Sequence, residues 1–190
     1  MLSYFELRNG VQFILEGQPY EVLEFKQMRK AQDVTVAQTK IRNLINGKVV
    51  YRSFHHSDTL EEAEIQKFKA KFVYGHKGKY VFSEMNDASK RFELSVEQVG
   101  EGIQFLKSNE VIDGLRFKGN IINISLPVKV QLKVTEAPPG LKGDSSKGGT
   151  KLVTLETGAT VQVPLFIETG DVLEINTDTG EYSKRVGKGE

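Results

Sequence analysis

The stretch from residue 21 to residue 44 constrains the fold more than any other part of the sequence, because it has the pattern of one long β-hairpin. Apolar and polar residues alternate on both sides of a polar tip at 28–33, as they do in half-buried strands. The tip lacks the Asn-Gly or Asp-Gly pair of a two-residue turn. We therefore predict strands over 21–27 and 34–44, joined by a longer, protruding loop.

The hairpin is also basic. Between residues 26 and 52, seven lysines and arginines stand against one acid, Asp33, which leaves a local net charge of +6 on a chain whose net charge is +1. A basic hairpin on a nearly neutral protein favours an anionic partner, and RNA is the first candidate. An ordinary solvated hairpin is the alternative. The seven cations are Lys26, Arg29, Lys30, Lys40, Arg42, Lys48 and Arg52.

Strand-like segments separated by turn residues follow one another along all 190 residues, which predicts an all-β chain of small barrels. Residues 1–65 read as a small barrel from which the hairpin projects. Residues 66–128 contain five or so strands and one short helix, the content of an oligonucleotide/oligosaccharide-binding (OB) barrel. Residues 129–190 hold further strands. Each third is nearly neutral, with 8 basic and 9 acidic residues, then 10 and 7, then 8 and 9.

Two short helices are predicted within this β-rich chain. Asp58 precedes several acids in a possible first helical turn, and Ser95 precedes apolar residues at helical spacing as far as Leu106. Between these helices, the alternate lysines at 67–71 fall on one strand face, opposite apolar residues. A Gly-His-Lys-Gly turn at 75–78 then leads into the next strand.

Composition excludes several kinds of chemistry. The chain has no cysteine, which excludes disulfides, thiolate metal sites and cysteine nucleophiles. His55 and His56 face opposite ways in a strand and His76 lies in a turn, so no metal site is predicted. No catalytic constellation stands out, and we therefore predict a protein that is not an enzyme. Without a signal peptide or membrane span, the expected location is the cytoplasm.

A Gly/Ser-rich stretch occupies residues 138–149. It lacks the Gly-Lys-Ser/Thr ending of a nucleotide-binding P-loop and does not lead into a helix, so we reject a nucleotide site there. Two interpretations stay open for this stretch. One is a flexible, exposed loop, and the other is a loop that contacts a phosphate backbone or a base.

Five segments carry a family resemblance. They are PGLKGDSSKGG at 139–149, KLVTLETGATVQVPLF at 151–166, TGEYSKRV at 179–186, KIRNL at 40–44 and FHHSDTLEEA at 54–63. Together they resemble bacterial elongation factor P, the three-domain translation factor related to eukaryotic and archaeal initiation factor 5A. The resemblance spans the whole chain, and it includes a third domain that the initiation-factor relatives lack.

That resemblance implies a fold and a function. The fold is an L-shaped row of three barrels: an SH3-like (KOW-like) barrel at 1–65, an OB barrel at 66–128 and a second OB barrel at 129–190. The function is that of a monomeric translation elongation factor without a cofactor. It binds both ribosomal subunits beside the peptidyl-tRNA and relieves stalling at consecutive prolines. The alternative is a general RNA-binding OB-fold adaptor with no role in peptide transfer.

The hairpin tip departs from the family pattern. The usual tip is Pro-Gly-Lys-Gly or a close variant, whose lysine or arginine is often enzymatically extended, whereas here the tip is MRKAQD at 28–33. Counting forward from Glu24 places the family's tip lysine on Lys30, and counting back from the KIRNL segment places it on Gln32. We take Lys30 as the functional tip and as the possible target of a loop-modifying enzyme, with Arg29 as the runner-up.

Three sets of residues are candidates for RNA contacts. Lys40 and Arg42 share one strand face and are placed to grip a tRNA backbone, with a surface salt bridge as the alternative. The resemblance adds a loop of the third domain that faces the exit-site codon or nearby RNA. It also adds a Tyr-x-x-Arg pair near the small subunit, for which a structural tyrosine is the alternative. The residues of these last two sets are Gly143, Asp144, Gly148 and Gly149, then Tyr182 and Arg185.

Overall fold

The computed structural model describes residues 1–29, 35–139 and 149–188, and these residues form three separate antiparallel β-sheets. The sheets use the consecutive stretches 2–62, 65–125 and 129–187. Side chains alternate between the two faces of a strand, so each sheet can line a core with every second residue. The prediction of an all-β chain of three small barrels is confirmed.

The first sheet contains six strands in the order β1-β6-β2-β3-β4-β5. Its core is built around Phe13, which is fully buried with Leu7 and Ile41. A short 3₁₀ helix at Tyr4–Glu6 precedes β2. The strands are β1 (Leu2–Ser3), β2 (Gln12–Leu15), β3 (Gln18–Arg29), β4 (Thr35–Asn43), β5 (Val49–His55) and β6 (Thr59–Glu62).

The hairpin of β3 and β4 is longer than predicted. Met28 pairs with Val36 and Arg29 pairs with Thr35, so the first two residues of the predicted tip belong to the ladder. The prediction of a tip beginning at residue 28 was therefore wrong. Ladder hydrogen bonds are made by the backbone, and polar side chains at the end of a strand do not interrupt them.

The predicted helical turn after Asp58 was wrong as well, because residues 59–62 form strand β6. In this strand only Leu60 is buried, and it packs into the first core. The Asp58 carboxylate instead accepts a hydrogen bond from the backbone N–H of His55 at 2.8 Å, which closes a turn between β5 and β6. Pairing with β1 and β2 outweighed the local helix signal.

The middle sheet has the strand order of an OB barrel. In its order, β11-β10-β7-β8-β9, the fourth strand of the barrel (β10) lies beside the first (β7), and the fifth (β11) lies beside the fourth. The predicted strands near 109–118 and 121–126 are confirmed as the last two strands of this sheet. The strands are β7 (Ile65–His76), β8 (Lys79–Glu84), β9 (Asp87–Ser95), β10 (Val111–Phe117) and β11 (Asn120–Ser125).

The predicted helix after Ser95 is confirmed only in its first turn. Helix α1 covers Val96–Val99 and begins with a capping box between Ser95 and Gln98. Gly100, at φ +96°, ends it, and a 3₁₀ helix follows at Glu101–Phe105. This break turns the buried side chain of Phe105 toward the third barrel.

The third sheet repeats the OB order as β14-β13-β12-β15-β16. Contact between β14 and β16 closes it into a barrel around Leu132, Ile167 and Leu173. The strands are β12 (Lys129–Glu136), β13 (Thr150–Leu155), β14 (Thr160–Pro164), β15 (Val172–Asn176) and β16 (Glu181–Gly187).

Apolar contacts join the first two barrels. Leu44 and Ala63 from the first barrel form a buried cluster with Leu115 and Phe117 from the second. Beside that cluster, the turn at Gly47 lies so close to helix α1 that a Cβ atom there would be 2.6 Å from the carbonyl oxygen of Glu97. The first barrel is therefore packed against the second rather than tethered to it.

The joint between the second and third barrels is equally close. Phe105 of the middle barrel is 1% exposed and belongs to the core of the third. The carbonyl of Thr177 packs directly on the backbone of Gly102, and Lys107 Nζ lies 3.0 Å from Glu156 Oε1. The chain exposes 11959 Å², whereas a compact monomer of 21.3 kDa exposes about 9,100 Å². The barrels are thus firmly joined but extended in series.

The joint at Glu156 predicts a pH-dependent stability. Burial by itself raises the pKa of this carboxyl. Hydrogen bonds from the Lys133 N–H and from Lys107 together lower the pKa by more than burial raises it, so the pKa lies below its ordinary value of 4.5. A lowered folded-state pKa stabilises the fold above about pH 4.5, and that stability is lost as the pH falls through the folded-state pKa.

We expect Glu156→Gln to lower the free energy of unfolding by about 1 kcal/mol at pH 7, with the difference vanishing in acid. Urea titrations of both proteins from pH 7 to pH 3 measure this. Glu136→Gln, at an exposed carboxylate without an ion pair among the described residues, is the control. A Glu156→Gln deficit that stays constant down to pH 3 would contradict the assignment.

Candidate RNA-binding surfaces

The outward face of the hairpin carries the first candidate set. Because directly paired residues share a face, Lys40 lies in one row with Glu24 and Tyr51 across β3, β4 and β5. Arg42 lies in the next row, and Ile41 between them is fully buried on the opposite face. The two cations therefore project to the same side, as their i, i+2 spacing predicts.

Both cations are engaged in ion pairs. Lys40 Nζ is 3.0 Å from Glu24 Oε1, and Arg42 Nη2 is 2.9 Å from Glu21 Oε2. The hydrogen bond to Glu24 raises the pKa of Lys40 above its ordinary value. The salt-bridge alternative is thus what the free protein adopts, while the RNA contact stays a prediction. Exposed ion pairs are weak, so a phosphate group can compete with these carboxylates.

The local charge of the hairpin is smaller than its sequence window indicates. The acids that pair with Lys40 and Arg42 come from β3, before residue 26, and Arg52 Nη2 contacts Glu16 Oε1 at 3.3 Å. Folding therefore brings three acids from outside the window onto three of its seven cations. The net charge of the window thereby falls from +6 to +3, which Lys26, Lys48 and the tip at 28–33 share.

The β3–β4 ladder ends where the connection at 30–34 begins. Arg29 and Thr35 form the last paired row, and the predicted site Lys30 and its alternative Gln32 lie outside the described residues. Five residues, 30–34, connect the two strand ends. The ladder thus brings both ends of this connection together at one edge of the first barrel.

The Gly-rich candidate loop lies mostly outside the described residues, and this includes Gly143, Asp144 and Gly148. Its two ends are held. Lys151 Nζ donates a hydrogen bond to the Pro138 carbonyl at 2.9 Å. Gly149 is half-buried and packs against Leu165, so that a Cβ atom added to Gly149 would lie 3.0 Å from Leu165 Cδ1. The loop is therefore anchored at β13.

The Tyr-x-x-Arg pair lies on the closing strand, β16. Lys184 pairs with Glu174 and Tyr182 with Ile175, so Ser183 is an extra, bulged residue that turns Tyr182 and Arg185 to the same side. Tyr182 packs on the third core, which agrees with a structural role. A direct role in RNA contact stays a prediction for both residues.

Arg185 is held by two groups of the same barrel. Its Nη1 lies 3.3 Å from Asp171 Oδ2, and its guanidinium lies 5.1 Å from the centre of the Phe166 ring. Phe166 is 56% exposed and was not singled out from sequence. Phe166 follows Leu165 in an apolar run, and only the tertiary structure shows that its ring is exposed.

Within residues 1–29, 35–139 and 149–188, no three histidine, aspartate or glutamate side chains come together in a way that could hold a metal ion. In the same ranges, no helix is long and apolar enough to cross a membrane.

Three small barrels in series, two of them with OB strand order, define a modular binding protein of the kind that presents loops and strand faces to nucleic acid. Two family models match the chain. The Elongation factor P (EF-P) KOW-like domain matches residues 3–60, and the Elongation factor P C-terminal domain matches residues 130–185.

Curated relatives agree over their full length. Elongation factor P of Acetivibrio thermocellus is 35% identical over 186 residues, and that of Carboxydothermus hydrogenoformans is 38% identical over 186 residues. Each alignment covers 98% of this chain and 100% of the relative. A solved structure, eukaryotic translation initiation factor 5A from Methanococcus jannaschii, is 14% identical with a TM-score of 0.46, covering 65% of this chain and 92% of that one.

The chain belongs to the elongation factor P family. The resemblance of the five sequence segments is thereby confirmed, and the protein is a translation elongation factor associated with the ribosome.

Proposed function

We propose that this protein binds the ribosome beside the peptidyl-tRNA and stimulates peptide-bond formation at consecutive prolines. The observation that carries the proposal is the β3–β4 ladder, which ends in a paired row at Arg29 and Thr35 and so brings the two ends of the tip connection together at one edge of the first barrel. Full-length similarity to elongation factor P supports the same function. The protein would work in the cytoplasm, as a monomer, without a cofactor.

Positioning is the mechanism that suits such a factor. Proline reacts slowly in peptide transfer because its ring restricts the chain and its nitrogen is secondary. Holding reactants in a productive arrangement contributes up to ~7–11 kcal/mol in the best-oriented reactions, far more than relief of a stall requires. A protein can therefore accelerate the reaction by ordering the end of the peptidyl-tRNA, with no proton transfer of its own.

Lys30 is the group that we assign to this task. Its long cationic side chain would lie along the phosphates of the tRNA end, and Arg29 beside it can bind a phosphate through two parallel hydrogen bonds. Enzymatic extension of Lys30 would lengthen its reach. The tip differs from the family's glycine-rich pattern, so a modifying enzyme would have to recognise a different loop.

The third barrel is proposed to face the small subunit. Its anchored Gly-rich loop, with Gly143, Asp144, Gly148 and Gly149, would contact the exit-site codon or nearby RNA. Tyr182 and Arg185 would support that face. Both side chains are half-buried on the same side of the bulged strand β16.

Ribosome affinity should fall as salt rises, because cations of the hairpin would displace counterions from RNA phosphates. We expect the double variant Lys40→Gln/Arg42→Gln to reduce the slope of log affinity against log salt by about 1.4–1.8, at about 0.7–0.9 for each lost contact. Binding to purified ribosomes across a salt series measures this.

Glu24→Gln is the matched control for this series. It frees Lys40 from its 3.0 Å ion pair without removing a cation, so affinity should rise. An unchanged slope in the double variant would contradict hairpin contact with RNA. A general RNA-binding adaptor would bind RNA but leave peptide transfer on a Pro-Pro-Pro reporter unchanged, and a purified translation system separates the two functions.

A further inference from the structure

The outer face of the middle barrel carries a row of residues that the proposed function does not use. Val111, Lys71, Ser83 and Arg91 pair directly across β10, β7, β8 and β9, and directly paired residues share a face. The opposite face of these strands is the core, where Phe82 is fully buried. The row therefore lies on the outer face of the sheet, where Val111 and Arg91 are exposed, Lys71 is half-buried and Ser83 is only 5% exposed.

A β-bulge adds an aromatic ring to this face. Phe72 pairs with Phe82 and Tyr74 pairs with Val81, so Val73 is an extra residue in strand β7. Without the bulge, Tyr74 would follow Phe72 into the core. With it, Tyr74 lies on the same side as Lys71 and is 51% exposed.

Two cations of this face are free to bind a ligand. Among the described residues, neither Lys71 nor Arg91 forms an ion pair, whereas Lys69 Nζ contacts Asp113 at 2.7 Å and Lys79 Nζ contacts Glu93 at 2.8 Å. On this face five cations stand against two acids. The cations are Lys67, Lys69, Lys71, Lys79 and Arg91, and the acids are Glu93 and Asp113.

We call the patch formed by Lys71, Tyr74, Arg91 and Val111 the outer patch. Two loops with lysine tips lie at the opposite ends of strand β7. They join β7 to β8 at Lys77 and β10 to β11 at Lys118, both exposed and with left-handed backbones at φ +48° and +47°. In OB barrels, the second and third strands and these two connections are the parts that bind oligonucleotides.

We propose that the outer patch binds an unpaired stretch of RNA, with Tyr74 stacking on a base and Lys71 and Arg91 contacting backbone phosphates. An exposed aromatic ring beside unpaired cations is the combination that single-stranded nucleic acid requires. Lys71 and Arg91 stand two strands apart, about 10 Å, which lets them contact different phosphates of one strand. This site is separate from the hairpin and does not depend on the relief of stalling.

The test uses the full chain and a labelled oligoadenylate of about ten nucleotides, within the range that one OB barrel covers. Fluorescence anisotropy measures its affinity across a salt series. Tyr74→Ala should weaken binding about 5- to 100-fold, while Tyr74→Phe should stay within about twofold because stacking survives. Lys71→Gln/Arg91→Gln should reduce the salt slope by about 1.4.

Two variants serve as matched controls, with thermal unfolding to verify that each folds. Phe5→Ala removes an aromatic ring that is 63% exposed on the first barrel, and Lys129→Gln removes an exposed cation of the third barrel. Both should bind the oligonucleotide as the parent does. The proposal is overturned if Phe5→Ala weakens binding as much as Tyr74→Ala, or if the parent binds an acidic peptide but no single-stranded RNA. The assay contains no ribosome, so its outcome is independent of the proposed role in translation.

Discussion

Lys30→Ala is expected to abolish the rescue of a Pro-Pro-Pro reporter in a purified translation system, while folding stays intact and ribosome binding weakens only modestly. Lys30 belongs to the connection between Arg29 and Thr35, the last paired row of the hairpin, and so lies outside the paired strands whose residues build the barrel. Misplacing a reacting group by about 1 Å can cost roughly 100-fold in rate, and we expect a loss of at least about that size.

Two variants of neighbouring positions decide the register of the tip. Arg29→Ala should have a smaller effect than Lys30→Ala, and Gln32→Ala should have almost none. Full rescue by Lys30→Ala would overturn the assignment of the tip, and loss of rescue by Gln32→Ala alone would favour the other alignment. The intact mass of protein from its native host shows separately whether the chain carries a modification, and peptide mapping places it.

Gly102→Ala is expected to loosen the joint between the middle and third barrels. A Cβ atom at this position would overlap the carbonyl oxygen of Thr177, which is backbone and cannot move aside as a flexible side chain does. Overpacking of this kind costs about 1–3 kcal/mol. We expect a lower unfolding temperature and a larger radius of gyration in solution scattering, since the barrels separate before they unfold.

Gly187→Ala is the matched control for the joint. A Cβ atom there would meet Val172 at 3.7 Å, an ordinary contact, so neither the unfolding temperature nor the scattering profile should change. Wild-type-like unfolding and scattering of Gly102→Ala would contradict the prediction, since the joint would then accommodate the added methyl group.

Gly102→Ala should also impair Pro-Pro-Pro rescue, because contacts at the two ends of the molecule need a constant spacing.

The sequence determined the strand content and the three-barrel order of this protein. Alternating burial is a local property with a period of two, so strands such as β12, with buried Val130, Leu132 and Val134, can be recognised without knowledge of their partners. The helix cap at Ser95 is local in the same sense. Where local signals were weak, prediction was wrong or incomplete: Asp58 resembled a helix cap, and the charged strand β9 was not recognised.

The candidate sites divide in the same way. The sequence placed Lys40 and Arg42 on one face, because that follows from strand geometry alone. It could not show that Glu24 and Glu21 neutralise them, since those acids are 16 and 21 residues away along the chain. The chemistry of the tip, with Lys30 and its alternative Gln32, came from the sequence alone.

Tertiary structure decided which surfaces are free and how the barrels meet. Tyr74 faces solvent because of one bulged residue, and a strict period of two would have buried it with Phe72. Phe105 leaves its own barrel and completes the core of the next, and Gly102 is small because a neighbouring carbonyl packs against it. Bulges, ion pairs and joints depend on atoms far apart in sequence, and only the folded chain brings these atoms together.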